Sequence, residues 1–153
     1  MLLAAAGTYI LLLRCTATCA ITVGRIGRPQ LRPGYYLYVG SAFGPGGLRA
    51  RIGHHLRRAV RPRWHIDYLR RYTRLEGVWY CCGSRCEHEW AAAISAIPGV
   101  EVEMLGFGSS DCRCRSHLYW VSEQPGTAFF VAALGPNSRY ARLLEFLKSR
   151  PGD

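Results

Sequence analysis

The sequence predicts a single α+β domain in which a small, mostly antiparallel central sheet is flanked by helices. The chain has 153 residues, the size of one domain, and 49% of them are hydrophobic, which is enough for one core. Short β-branched and aromatic runs alternate with segments whose apolar residues recur at helical spacing. No internal repeat or long linker interrupts them. We therefore treat residues 1–153 as one domain, with a core over about 7–122 and a C-terminal strand or helix extension over 123–153.

Three runs near the start of the chain have the composition of strands. They cover residues 7–15, 17–23 and 34–40, and the connection over 24–33 is rich in Gly, Pro and Arg, as exposed connections are. Their order predicts an antiparallel meander. The apolar start of the chain has no basic segment before it, and Arg14 stops it after too few residues to cross a bilayer. We therefore interpret it as a buried strand.

The rest of the chain alternates between helical and strand patterns. Leu48, Ile52 and Leu56 recur every four residues and predict a helix over 48–58. Further helices are predicted over 64–69, 87–97 and 136–149, and further strands over 75–82, 101–105 and 117–122.

The charge balance is unusually positive. The chain has 20 Lys and Arg against 10 Asp and Glu, a net charge of +10, and almost all of the cations are arginine. Because arginine forms two-pronged hydrogen bonds to phosphate, this balance is typical of a polyanionic partner, but charge alone fits a merely solvated surface about equally well. The arginines that flank the site proposed below would bind a nucleic-acid backbone with strong salt dependence and little base specificity. They are Arg49, Arg57, Arg58, Arg61 and Arg63.

The cysteines bear on the cellular compartment. There are seven of them, and Cys81 and Cys82 are adjacent, which argues against a secreted disulfide framework. We therefore expect reduced thiols and a cytoplasmic location, associated with the nucleoid if the protein acts on DNA. No segment approaches the length of a membrane span, so we expect no membrane association.

Four short motifs could together carry phosphodiester chemistry. They are GTY at residues 7–9, YVG at 38–40, the pair Arg51 and His55, and an acidic helix start at 87–89. Arg51 and His55 are four residues apart and share one helical face. Cleavage of a phosphodiester requires a base for the attacking water, a cation for the phosphate and a group that stabilises the leaving oxygen. A carboxylate-held metal, an arginine and a tyrosine or histidine would supply these.

These motifs resemble those of the GIY-YIG nuclease family, whose first and second motifs correspond to GTY and YVG and whose helix corresponds to LRARIGHH. The resemblance covers roughly residues 7–122. The long gap between Gly7 and Gly40, with WHIDYL and FGSSDCRCRSHL, looks like a branch found alone or fused to endonuclease III-type DNA glycosylases. The resemblance implies a metal-dependent endonuclease that uses Mg²⁺ or Mn²⁺ and has a functional link to base-excision glycosylases. It favours DNA as the substrate and leaves RNA as the alternative.

The resemblance also implies roles for individual residues. Tyr9 or Tyr38 would act as the general base or orient the water. Arg51 would offset charge on the phosphate, and His55 would be the helix histidine of the family. A free tyrosine has a pKa near 10, so it would need Arg51 or a metal close by to act as a base.

The carboxylate that would bind the metal is Glu87 or Glu89. Trp90, Ala91 and Ile94 follow Glu87 at helical spacing, which places Glu87 over the packed face of its helix and Glu89 towards solvent. We therefore prefer Glu87 and keep Glu89 as the alternative.

A second group of residues has the chemistry of a zinc site. Cys112, Cys114 and His117 are soft ligands, but the single residue between the cysteines is tighter than zinc fingers use. We favour a Gly-Ser turn that lines the cleft, with Asp111 or His117 facing it. His65 is a further candidate for the cleft.

Three functions remain open. The first is the endonuclease. The second is a non-catalytic nucleic-acid-binding module with the same fold, favoured by Thr8 in place of an apolar residue and by the missing asparagine that closes the family's motif set. The third is a zinc-stabilised interaction domain built around Cys112, Cys114 and His117.

Overall fold

The structure is a computed structural model of the chain, and it describes residues 4–58, 60–108, 114–135 and 139–142. Its elements, in chain order, are β1 (Gly7–Cys15), β2 (Cys19–Ala20), a 3₁₀ turn (Gly24–Ile26), β3 (Gln30–Leu31), β4 (Gly34–Ala42), α1 (Gly47–Leu56), α2 (His65–Arg70), β5 (Arg74–Cys82), α3 (Glu87–Ser95), β6 (Glu101–Val102), β7 (Leu118–Val121), α4 (Thr127–Leu134) and β8 (Arg139–Arg142).

The main sheet has β1 at its centre. Its strand order is β6-β7-β4-β1-β5-β8, and every pairing between these strands is antiparallel. Tyr9 of β1 lies opposite Gly40 of β4 on one side and Tyr80 of β5 on the other. Because β1 begins where β4 and β5 end, the loops that lead into α1 and α3 lie at the same end of the sheet.

Helices cover both faces of the sheet. Successive side chains of a strand point to opposite faces, and β1 is buried on both. Tyr9 and Leu11 face a core completed by residues of α1 and α2, such as Ile52. Ile10 and Leu12 face a second core completed by residues of α3 and α4. This confirms the predicted α+β fold with a central antiparallel sheet between helices.

The helices follow from local signals in the sequence. The buried positions of α1 include Leu48 and Ile52, and the helix ends at Leu56, two residues before the predicted end at residue 58. Asp67 caps α2 by accepting hydrogen bonds from the main-chain amides of Arg63 and Trp64. No helix in the described ranges is long and apolar enough to cross a bilayer.

The predicted strand over 17–23 is wrong, and so is the meander. Only Cys19–Ala20 is extended, and it pairs with Gln30–Leu31 in a separate two-stranded ribbon. The amide of Ile21 bonds to the carbonyl of Pro29, and that of Val23 to Gly27, so the segment closes on itself. The apolar alternation reflects the burial of Ile21 and Val23 in the core rather than pairing with β1.

The predicted helix over 136–149 is also wrong where it can be compared. Residues Arg139–Arg142 form β8 on the outer edge of β5, a tertiary pairing that helical spacing cannot reveal. The rest of that prediction lies outside the described residues. The helix Thr127–Leu134 was not predicted. Its Phe130 stacks on Trp79 at 4.5 Å between ring centroids, which anchors it to the sheet.

We predict that Gly7→Ala lowers the free energy of unfolding by about 1–3 kcal/mol, the range seen when buried sites are overpacked. A Cβ at Gly7 would lie 2.1 Å from the carbonyl oxygen of Cys81 and 2.8 Å from Leu48. The matched control is Gly53→Ala in α1, where a Cβ meets nothing within 4 Å. That change should raise the free energy of unfolding by about 0.4–1 kcal/mol. Urea unfolding of the two variants checks both signs, and equal stabilities would contradict the packing at Gly7.

Candidate functional site

The end of the sheet where β1 begins is packed so tightly that it admits only glycine at two motif positions. A Cβ at Gly40 would lie 2.5 Å from the ring of Tyr9, in addition to the close approach at Gly7 described above. The ring of Tyr9 therefore lies directly against the backbone of β4. The glycines of the GTY and YVG motifs are explained by this contact between neighbouring strands.

Tyr9 is held by His55 of α1. The Tyr9 hydroxyl and His55 Nε2 are 2.7 Å apart, and both side chains are almost completely buried. Burial lowers the pKa of His55 to about 3, assisted by His54, Arg51 and Arg70 and opposed by Asp67. The imidazole is therefore neutral at neutral pH. Its Nε2 can then accept a hydrogen bond from the Tyr9 hydroxyl, which puts the ring proton on Nδ1.

Both motif tyrosines stay protonated at neutral pH. Burial raises the pKa of Tyr9 well above its usual value, and it raises the pKa of Tyr38 to about 12. The charge of Glu87 acts in the same direction on both hydroxyls, whereas the Arg51 guanidinium lowers both pKa values. Their rings are 6.5 Å apart between centroids. Tyr9, Tyr38, Arg51 and Glu87 thus form one electrostatically connected group.

A cleft of about 470 Å³ opens over these residues. Its walls contain four of the five predicted catalytic residues, namely Tyr9, Tyr38, Arg51 and Glu87. The fifth, His55, does not line the cleft but lies directly behind Tyr9. The remaining wall consists of Val39, Gly40, Ser41, Trp64, Arg85, His88, Gly108 and His117.

The structure places the two candidate carboxylates differently. Glu87 lies half-buried on the first turn of α3 and lines the cleft, whereas Glu89 is exposed and does not line it. An oxygen-rich divalent ion such as Mg²⁺ is commonly held by one or two carboxylates together with substrate phosphates. Glu87 is the acidic residue among the described cleft walls, so it fits this requirement.

Thr8 positions the turn that carries Glu87. Its buried hydroxyl donates to the carbonyl of Ser84 (2.8 Å) and accepts from the amide of Cys86 (3.1 Å). Cys86 is the residue immediately before α3, so this side chain ties the start of β1 to the start of that helix. Thr8 occupies the position where the GIY-YIG motif has an apolar residue, and its hydroxyl therefore has a defined structural role.

Trp64 forms part of the cleft wall beside Arg51. The Arg51 guanidinium lies 4.4 Å from the centre of the Trp64 ring, and that of Arg63 lies 5.2 Å from it. Arg51 and Trp64 also line an adjoining cavity of about 290 Å³ together with Arg63. Cation–π contact on a flat ring restrains the guanidinium, so Arg51 is held at the junction of the two cavities.

His54, His55 and Asp67 are close enough to hold a metal ion, but their hydrogen bonds serve the fold. Asp67 Oδ2 accepts the two amides that begin α2, and Oδ1 lies 2.9 Å from His54 Nε2. Burial opposes the ionisation of Asp67, yet the two amides and His54 hold its pKa below the usual range. The Nε2 of His55 is already paired with Tyr9.

The second predicted cluster is only partly described. Asp111 and Cys112 lie outside the described residues. Cys114 Sγ lies 3.2 Å from Nδ1 of His88, and these two residues form a group with His117 that could also hold a metal ion. Burial lowers the pKa of His117, which favours the neutral imidazole that a metal ligand requires. Among the residues that the structure describes, neither of these two groups includes Glu87.

His65 supports the cleft without lining it. Its Nδ1 accepts the amide of Gly108 at 2.9 Å, and Gly108 lies against the ring of Tyr38. A Cβ at Gly108 would be 3.0 Å from that ring, and the backbone there has a φ of +67°. The histidine thus fixes a loop whose glycine forms the cleft wall.

The predicted basic residues differ in exposure and in whether they line a cavity at the site. Arg57, Arg58, Arg61 and Arg63 are exposed and Arg49 is half-buried, but of these only Arg63 lines a cavity next to Arg51. Arg85 lines the main cleft and was not predicted. It lies in the short turn after β5, 4.1 Å from the centre of the Phe43 ring, so only the three-dimensional return of that strand brings it to the site.

Two further residues were missed as site residues. The sequence pattern predicts that Trp64 is a core residue, because it precedes an amphipathic helical turn. His88 follows Glu87 directly, and adjacent helical positions face different directions, so its approach to Cys114 depends on the loop before β7. The sequence offered only the presence of cysteine and histidine as a signal.

We predict that Thr8→Val lowers the free energy of unfolding by about 1–3 kcal/mol, because it leaves the amide of Cys86 without its acceptor. The matched control is Thr8→Ser, which keeps the hydroxyl and should retain the hydrogen bonds. Hydrogen exchange of the Cys86 amide should accelerate in the valine variant only. Equal exchange rates in the two variants would contradict the role of the hydroxyl.

The depressed pKa of His55 predicts acid sensitivity. The unfolded chain binds a proton at this residue near pH 6.5, whereas the folded chain does so only near pH 3. Above pH 6.5 the His55 imidazole is neutral in both the folded and the unfolded chain. As the pH drops from 6.5 towards 3, only the unfolded chain binds a proton there, so the free energy of unfolding falls by up to about 1.4 kcal/mol per pH unit. His55→Gln should lose less stability than the wild type between pH 7 and 4.5 in urea unfolding. Parallel pH profiles for His55→Gln and the wild type would refute the buried neutral imidazole.

Comparison with known proteins gives a family but no individual relative. No curated protein and no solved structure matches the chain at a significant level. The family described as "Domain of unknown function DUF123" matches residues 8–138, from the first strand past α4. This range includes every described residue of the cleft and much more than half of the sequence, so the chain belongs to the DUF123 family.

Proposed function

We propose that this chain is a divalent-metal-dependent endonuclease of the GIY-YIG type. It would hydrolyse phosphodiester bonds in nucleic acid, with DNA rather than RNA as the substrate. One observation carries the proposal. Tyr9, Tyr38, Arg51 and Glu87 come from four separate elements and converge on one cleft, with His55 directly behind Tyr9. A phosphate in this cleft would meet a cation, two hydroxyls and a carboxylate.

Arg51 is the group best placed to offset charge on the reacting phosphate. It lines the cleft, its guanidinium is restrained on the ring of Trp64, and its charge acts on both tyrosine hydroxyls. Guanidinium groups bind phosphate oxygens through two parallel hydrogen bonds, and a held cation needs little reorganisation as charge develops. Arg85, on the cleft wall, would add to the attraction for the substrate backbone.

Tyr9 would position and deprotonate the attacking water. With its hydroxyl proton directed to Nε2 of His55, its oxygen presents lone pairs that can accept a hydrogen bond from a water in the cleft. Because the pKa of His55 is lowered to about 3, Nε2 orients the Tyr9 hydroxyl without taking its proton, and proton transfer from the water to Tyr9 would require Arg51 and a cation at Glu87 to lower the pKa of Tyr9. Tyr38 is the second hydroxyl at the same wall and could orient the water or the leaving oxygen. The raised pKa values favour hydroxyls that act through such hydrogen bonds over free phenolates.

Glu87 would hold the metal ion. Its carboxylate is half-buried in the cleft, and its negative charge raises the pKa values of Tyr9 and Tyr38. A cation beside Glu87 would offset that charge and so lower both pKa values. When bound, Mg²⁺ or Mn²⁺ would supply Lewis-acid stabilisation of the phosphate and the leaving oxygen. Thr8 maintains the position of this carboxylate through its hydrogen bond to the amide of Cys86.

The charge of the chain supports a nucleic-acid substrate. With a net charge of +10, Arg85 on the cleft wall and Arg63 on the adjoining cavity, the chain would bind a phosphate backbone by releasing counterions. A role in DNA repair, alongside base-excision glycosylases and in the cytoplasm or nucleoid, follows from the resemblance of the motifs to that branch of the family and is part of the proposal.

The test is cleavage of labelled single-stranded, duplex, flap, abasic and branched DNA, with matching RNA, in Mg²⁺ or Mn²⁺ and in chelator. We expect metal-dependent cleavage by the wild type. Arg51→Ala and Glu87→Gln should each slow it by at least about 100-fold, in the range found for the loss of one electrostatic contact in a transition state. Binding of the same substrates should fall much less.

The matched control is Arg74→Ala, which removes an exposed arginine at the opposite end of the sheet from the cleft. It should cleave as the wild type does. Binding of every substrate without cleavage would replace the endonuclease with a non-catalytic binding module. Absence of both binding and cleavage would contradict the proposal entirely.

A further inference from the structure

We infer that His88, Cys114 and His117 form a binding site for a thiophilic divalent ion of the zinc class, distinct from the oxygen site proposed at Glu87. The ligand atoms of the three side chains all lie within 4.8 Å of one another. One ligand comes from the first turn of α3, and the other two come from the segment that leads into β7. The site would therefore join the two elements.

The spacing of the ligand atoms is close to that of a tetrahedral ion. With a Zn–S bond of about 2.3 Å and a Zn–N bond of about 2.05 Å, ligand atoms in tetrahedral geometry are about 3.3–3.6 Å apart. The distance between His88 Nδ1 and Cys114 Sγ is 3.2 Å. Small side-chain movements would bring the third ligand to the same separation, since the whole set already falls within 4.8 Å.

The ligand types select the class of ion. A thiolate with two imidazoles suits zinc and other thiophilic transition metals, whereas Mg²⁺ requires oxygen ligands. The amide of His117 donates to the carbonyl of Phe107, and its carbonyl accepts from the amide of Val39, so the backbone that carries this ligand is fixed. The other nitrogen of His88, Nε2, faces the Glu87 carboxylate at 3.9 Å, and carboxylates beside a ligating histidine commonly orient its ring.

The position of the site suggests what the ion would do. His88 and His117 line the main cleft, and His88 and Cys114 line a neighbouring cavity of about 280 Å³. An ion at the boundary would tie the start of α3, and hence the turn that carries Glu87, to the segment before β7. Three protein ligands leave a fourth position for water or another ligand.

The test is titration of the full-length, reduced protein with Co²⁺, which reports cysteine ligation through a near-ultraviolet thiolate-to-metal band. We expect one ion per chain with this band in the wild type, and displacement of Co²⁺ by Zn²⁺ but not by Mg²⁺. Cys114→Ser should lose the band, and His88→Gln should weaken binding by at least about tenfold. The matched control Cys82→Ser removes an exposed cysteine outside the group and should bind as the wild type does.

A second measurement tests whether the ion links α3 to the segment before β7. Because the ion would bind the folded chain, Zn²⁺ should raise the melting temperature of the wild type and of Cys82→Ser but not that of Cys114→Ser. Circular dichroism establishes that each variant is folded. Absence of the thiolate band in the wild type, its retention in Cys114→Ser or its loss in Cys82→Ser would each overturn the site.

Discussion

The close packing of β1 between β4 and β5 is the constraint on which the rest of the structure depends. The strand is buried on both faces. At Gly7 the carbonyl of Cys81 leaves no room for a Cβ, and at Gly40, opposite Tyr9, the ring of Tyr9 leaves none. This packing fixes the ring of Tyr9 against β4. It also directs the ends of β4 and β5 to one edge of the sheet, where the following loops begin α1 and α3. The candidate site exists because three strands meet there in this register.

Much of this arrangement could be predicted from the sequence, because its signals are local. The GTY and YVG motifs indicated the two strands that carry Tyr9 and Tyr38, and helical spacing placed Arg51 and His55 on one helical face. The remaining parts depend on distant contacts. No residue pattern specifies the tertiary contacts involved. These contacts pair residues 139–142 with β5, close the segment 17–30 on itself and bring Arg85 and His88 to the cleft.

The chemistry of the site follows from the balance between burial and charge. Burial makes both tyrosines weaker acids and His55 a weak base, so the hydroxyl and imidazole are neutral partners in a hydrogen bond rather than a charged pair. Arg51 acts in the opposite direction, and a cation at Glu87 would do the same. Electrostatic stabilisation of a phosphate in this cleft would thus also prepare the tyrosines for proton transfer. The thiol and imidazoles beside Glu87 would bind a different class of ion from the one proposed at Glu87.

The central claim is that Arg51 and Glu87 belong to one catalytic unit, and a double-mutant cycle on the cleavage rate tests it most directly. The rates of the wild type, Arg51→Lys, Glu87→Gln and the double variant are measured under single-turnover conditions on the best substrate. Residues that act as one unit show strongly non-additive effects. We predict that the double variant cleaves about as slowly as the slower single variant. Reductions in rate that simply multiply would show that the two residues act independently, and this would contradict a shared site.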